Sequence, residues 1–234
     1  MHTVVYALAQ HDDIAKFELE DGLVRRAAVE LLAAPSSISS IVVHIPTAEE
    51  VRFDVATRPA GYDALLEISA GDERDTKPKE FDELTVDVAL PIGAWSVSTV
   101  QVADRSDSWI GTATPGITLT ILFTRAPGID RNSYDGWLQD ALKSCVERLD
   151  DVAVRQLSPL TALLPGDDFE TMLEFSFLSA SALAQAVADQ AFTPVIGSEL
   201  LDPTSIRSQS SVKHRLVPNE NAWEMHNTSH PTGD

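Results

Sequence analysis

The stretch Tyr62-Asp63-Ala64-Leu65-Leu66-Glu67-Ile68-Ser69 returns 107 residues later as Phe169-Glu170-Thr171-Met172-Leu173-Glu174-Phe175-Ser176. Leu, Glu and Ser recur identically, and most other positions keep their size or charge. Self-similarity of this kind bears on the architecture before any single element does. Working outward, Asp21-Gly22-Leu23 matches Asp135-Gly136-Trp137 at an offset of 114, and Trp109 matches Trp223 at the same offset. An insertion in the 48–61 loop, compensated by a longer stretch between 177 and 210, reconciles the two offsets. Three collinear matches whose gaps cancel indicate an internal duplication.

Each copy can then be read against the other. Behind the Asp-Gly pairs lie Leu23, Val24, Ala27, Ala28, Leu31 and Leu32 in the first copy. In the second lie Trp137, Leu138, Ala141, Leu142, Cys145 and Val146. This spacing is one face of a helix. The β-rich runs 3–9 and 117–124, 38–45 and 152–157, the repeated stretch itself, and 96–103 and 211–217 predict four strands per copy. A second helix is clear at 181–191, and its counterpart at 79–90 reads weakly. The order β-α-β-β-α-β, met twice, is the ferredoxin-like unit. The fold class expected is therefore α+β: two ferredoxin-like repeats, 1–112 and 113–218, followed by a polar tail, 219–234. Residues 72–79 read as a surface loop. Strands carrying Val4 to Leu8, Ile41 to Val43 and Leu119 to Phe123 are apolar on both sides. The two bare sheet faces should accordingly pack together into a barrel closed within one chain, leaving a lumen between them. Further dimerisation is compatible with this arrangement but not needed for it.

Composition narrows the function classes. Lys and Arg total 17 against 36 Asp and Glu, a formal charge of −19. A nucleic-acid or anionic-membrane partner needs the opposite balance. Cys145 stands alone, which rules out an intramolecular disulfide or a multi-thiolate metal site and fits a reducing compartment. The first residues lack the basic region of a signal peptide, and no apolar run nears the roughly 20 residues that span a bilayer. A cytoplasmic protein is expected. No phosphate-binding Gly-rich loop or Ser-His-Asp signature is legible. His226 and His230 have chelating spacing, but Asn227-Thr228-Ser229 and Pro231 argue against the helix it would need. No metal and no cofactor are expected.

Phe123-Thr124-Arg125-Ala126-Pro127-Gly128-Ile129, followed by Ser133-Tyr134-Asp135-Gly136-Trp137, resembles the EthD-like family of dimeric α/β-barrel proteins in a tandem form. The pattern is a strand ending in Arg-x-Pro-Gly, a turn, and an aromatic-rich first helix. The superfamily so implied holds lactone isomerases, cofactor-free monooxygenases and haem enzymes, so fold alone does not select a reaction. The family usually carries a histidine two turns into that helix. Here the place reads Ala141-Leu142-Lys143, and Ala28-Val29 in the first copy.

Alternation sets Glu67 and Glu174 on the side of their strands opposite Leu66 and Leu173. If the leucines pack under helices, both carboxylates enter the lumen. There a raised pKa would suit a general base, while an ion pair with Lys or Arg would make them structural. His44 and His214 lie in predicted strands and are candidate proton carriers near neutral pH; His214 is also the candidate axial ligand should a haem occupy the lumen. Tyr6, Arg125 and Trp137 are candidates for contacting a ligand. The four tryptophans, Trp95 among them, could line a pocket or fill the core. The function expected is binding of a small apolar or aromatic metabolite between the sheets, in a metal-free oxygenase or isomerase working by proton transfer. The alternative is a non-catalytic barrel serving ligand binding or assembly.

Overall fold

The computed structural model describes residues 2–33, 38–47, 51, 53, 57–71, 87–103, 116–166 and 168–217. In chain order the elements are β1 (His2–Gln10), α1 (Lys16–Ala33), β2 (Ile38–Pro46), β3 (Arg58–Pro59), β4 (Ala64–Ala70) and β5 (Ala89–Ala103). They continue with β6 (Ile117–Phe123), α2 (Arg131–Val146), β7 (Ala153–Leu164), β8 (Thr171–Phe177), α3 (Ala180–Ala188), α4 (Thr193–Ile196) and β9 (Arg207–Leu216).

Eight of the strands form one closed antiparallel barrel in the order β2-β4-β1-β5-β7-β8-β6-β9, and β9 returns to pair with β2. The short β3 adds a parallel pairing to β9. The barrel thus has two seams, β5 with β7 and β2 with β9, and each joins a strand of the first half to one of the second. Closure removes every open edge from the barrel.

Along β4 and β8 the alternation follows the sequence reading. Leu66 and Ile68 pack outward with Val4, Tyr6, Leu8, Ile41 and Val43 against Leu19, Leu23 and Ala27 of α1. Leu173 and Phe175 pack outward with Leu119, Ile121 and Phe123 against Tyr134, Leu138, Leu142 and Cys145 of α2. Burying each such Leu or Phe contributes roughly 1.5–3 kcal/mol. Asp130 caps α2 by accepting from the Ser133 amide at 3.0 Å, and the Tyr134 hydroxyl meets Thr171 Oγ1 at 2.8 Å, tying the helix to β8. A third apolar cluster fills one end of the lumen: Val5, Ala7, Tyr62, Leu65, Trp95, Leu122, Leu157, Phe169 and Met172 are among its members. Deeper along the same strands, Thr3 meets Ser69 at 3.0 Å and Thr118 meets Ser176 at 3.1 Å, a matched pair of buried hydroxyl contacts, one in each half.

Three strands run longer than the sequence predicts, β9 among them, which begins at Arg207 rather than at 211. β5 begins at Ala89 and β7 continues to Leu164. Pro91, Gly93 and Pro159 interrupt the strand pattern in β5 and β7. The β5–β7 ladder absorbs them with register shifts at Ala94/Trp95, Ser96/Val97 and Gln101/Ala103. Of the helix predicted at 79–90, Ala89 and Leu90 instead open β5, and 79–86 lie outside the described residues. The 72–79 loop, the 219–234 tail, Trp109, Trp223, His226 and His230 also lie outside them. No described helix is long and apolar enough to cross a membrane.

Candidate functional site in the barrel lumen

The lumen face of β4 carries Leu65, Glu67 and Ser69, and that of β8 carries Met172, Glu174 and Ser176. In the ladders Glu67 stands opposite Val5 and Val42, and Glu174 opposite Thr120 and Arg155. Both glutamates are almost fully buried. Arg155 of β7 bridges them. Its Nη1 and Nη2 donate to Glu67 at 3.0 and 2.7 Å, and its Nε and Nη2 donate to Glu174 at 3.0 and 2.6 Å. Lys213 of β9 donates a further 2.7 Å bond to Glu174. His44 of β2 places Nε2 3.5 Å from the other Glu174 oxygen.

Two carboxylates and two cations make this cluster neutral. Burial alone would raise both carboxyl pKa values, but the Arg155 charge and its hydrogen bonds outweigh burial and hold both well below the usual carboxylate range. The glutamates are therefore ionised, not the raised-pKa bases that a bare lumen would make. Burial lowers the Lys213 ammonium below its ordinary range, with Glu174 opposing. Burial likewise lowers His44 to about 4, against the pull of Glu174, so at neutral pH it is an uncharged imidazole. Its Nδ1 is buried without a hydrogen-bond partner. The cations are the accessible members: side-chain exposure is 22% for Arg155 and 11% for Lys213, against 6% and 2% for Glu67 and Glu174.

Above the cluster lies a half-enclosed cavity of about 260 Å³, lined by Ala7, Tyr62, Leu65, Trp95, Phe169 and Met172 among others. The next lumen residues inward from Leu65 and Met172 are Glu67 and Glu174. The cluster residues follow next along these two strands and are not among those that line the cavity. Trp95 and Phe169 meet edge to face with centroids 4.9 Å apart. Burial and the Glu174 charge push the Tyr62 phenol above its usual range.

The other residues singled out from sequence lie elsewhere. His214 alternates away from Lys213 and places Nε2 2.9 Å from Glu20 of α1, outside the barrel. Tyr6 packs in the apolar layer under α1. Trp137 is half-buried on α2 beside Tyr134, at 5.7 Å. Arg125 is held by Glu170: the Arg125 amide donates to it at 2.9 Å and Nε lies 3.1 Å from it, in a surface loop beside β8. Cys145 is buried under α2, and burial pushes its thiol up to about 12. Sequence reading missed Arg155 and Lys213. The signal was there: two carboxylates facing a lumen call for cations, and both residues stand at inward positions of strands.

Two cofactor questions can be put to these residues. His44, Glu67 and Glu174 offer donor atoms within 4.8 Å of one another. Arg155 and Lys213 already supply the positive charge there, so the set as it stands does not fit a divalent cation. A haem in the lumen needs a histidine free to face it. His214 turns to Glu20, and His44 lies against Glu174 among two cations, so the residues do not fit that group either.

Neither a protein-family model nor a curated protein matches the chain. Solved structures do. An anthrone oxidase-like protein superposes with a TM-score of 0.62 at 15% identity, over 94% of both chains. A chlorite dismutase from Candidatus Nitrospira defluvii gives 0.56 at 9% identity, over 91% of this chain and 90% of that one. A monooxygenase candidate from Lactobacillus acidophilus gives 0.54 at 9%, over 93% and 96%. The fold is that of the dimeric α/β-barrel proteins. Here the barrel is closed by strands of a single chain.

Proposed function

We propose that the lumen binds a small apolar or aromatic metabolite and removes a proton from it, as a metal-free oxygenase or isomerase of the EthD-like kind. In this reading residues 1–112 and 113–218 are tandem ferredoxin-like units. Their matching strand orders, β2-β4-β1-β5 and β7-β8-β6-β9, support it.

One observation carries the functional reading: an aromatic-walled cavity and a buried ion cluster holding the uncharged His44 share one lumen, one position apart along the inward faces of β4 and β8. His44 is the proton acceptor. Glu174 lies close enough to stabilise the imidazolium that forms. Arg155 and Lys213 stabilise the anion left on the ligand. That anion is then open to dioxygen, or to reprotonation at another carbon as an isomer. The similar structures described as anthrone oxidase-like and as a monooxygenase candidate agree with the first course.

A second reading has its own support. Glu67 and Glu174 are fully engaged by Arg155 and Lys213, as in an internal strut, and this favours a barrel that binds without turning over. Exchange of the acidic protons of 2-tetralone in D2O, followed by NMR, separates the two. The catalytic reading expects protein-dependent exchange that falls at least about a hundredfold in His44→Gln. Binding of 2-tetralone without exchange supports the strut, and no binding at all overturns both.

A further inference from the structure

Gly93 and Gly166 lie side by side against one edge of the Trp95 indole, at Cζ2 and Cη2. Neither adopts a positive φ among the glycines so recorded, so backbone conformation does not call for glycine at either place. Space does. A Cβ on Gly93 would overlap the Trp95 ring, and its three nearest atoms are all of that ring. A Cβ on Gly166 would come within 2.8 Å of Trp95 Cζ2 and of the Gly93 Cα. Gly93 and Trp95 are i and i+2 on β5, so both face the lumen and the indole folds back over the bare Gly93 backbone. The ring is parked in a glycine slot, and the 260 Å³ cavity is the room it leaves.

From this geometry we propose that Trp95, set back by Gly93 and Gly166, fixes the size of the ligand, and that the ligand is an uncharged planar aromatic of two fused rings. The inference rests on the lumen-binding reading above. Size follows from the volume: a cavity of about 150 Å³ holds one benzene ring, so 260 Å³ holds two rings and not three. Planarity follows from the walls, Tyr62, Trp95 and Phe169. Neutrality follows from the lining itself, which is uncharged apart from Arg207. Arg207 at the rim is turned to the Asp168 carbonyl, 3.3 Å away.

The test is calorimetric binding of 2-naphthol, 2-naphthoate and anthrone to the full chain and three variants. The wild type should bind 2-naphthol, bind 2-naphthoate more weakly and reject anthrone. Gly93→Ala drives the indole into the cavity, so 2-naphthol should bind on the order of tenfold more weakly, with a changed near-ultraviolet circular dichroism signal from the moved ring. Trp95→Ala should admit anthrone. Gly93→Ala/Trp95→Ala should bind as Trp95→Ala does, because the added methyl then has no ring to displace. Unchanged 2-naphthol binding in Gly93→Ala would overturn the size-setting role, as would a double variant that stays weak. Tighter binding of 2-naphthoate than of 2-naphthol would overturn neutrality. A wild type that binds neither 2-naphthol nor 2-tetralone removes the lumen-binding reading itself, a result distinct from these.

Discussion

At the scale of single residues, the lumen depends on Arg155. It donates to both glutamates, and without it two buried carboxylates face each other with only Lys213 between them and full charge. Removing one partner from a buried ion pair typically costs about 3–5 kcal/mol. Arg155→Met should lower the unfolding free energy by about that amount in urea titrations at pH 7, and partly recover at lower pH as a carboxyl protonates. His44 gives a second residue-scale prediction. Its pKa is about 4 in the fold and 6.5 when exposed. Between those values the unfolded chain holds the extra proton, so stability rises with pH across that window and falls on acidification. The contribution is about 3 kcal/mol. His44→Gln should flatten the stability profile between pH 4 and 6.5, while the glutamates keep their own loss of stability at lower pH. A variant with an unchanged profile would show that His44 titrates normally.

At the scale of elements, the two seams explain why sequence pattern and structure diverge where they do. Strand signals were clear where a strand lies inside one half, as in β1, β4, β6 and β8. β5 and β7 pair with each other across the halves, and Pro91, Gly93 and Pro159 interrupt their patterns. Their extent is set by a partner far away in sequence, which local propensity does not register. Gly116, which leads into β6, shows the reverse case, where one residue's backbone decides an element's start. Its φ is +106°, and a Cβ there would run into the Phe177 carbonyl of the paired strand β8. Gly116→Ala should therefore cost at least about 2 kcal/mol, read as a lowered thermal midpoint. Gly128, also at positive φ but with open space around it, should cost less in the same assay.

At the scale of the whole molecule, both seams are made by one chain. A barrel assembled from two chains would come apart on dilution, and this one should not. Light scattering should find a folded species whose denaturation midpoint is independent of protein concentration over a hundredfold range or so. A midpoint that falls on dilution would mean that a second chain contributes to the fold. The strong negative charge should also leave stability sensitive to salt, through repulsion spread over the surface.

The sequence by itself determined the closed barrel and the inward placement of Glu67 and Glu174. These follow from periodicity and offset, which are local or one-dimensional properties. It offered His44 and His214 alike as lumen candidates, from their places in predicted strands. Only the tertiary structure decided what those carboxylates are. Arg155 and Lys213 come from strands β7 and β9, and barrel closure sets them beside Glu67, 88 residues from Arg155, and beside Glu174. That proximity turns would-be bases into ionised partners and leaves His44 an uncharged imidazole beside Glu174. The same closure sends His214 out to α1 and Tyr6 under it, because an inward or outward position is settled by the register of a strand against its neighbours.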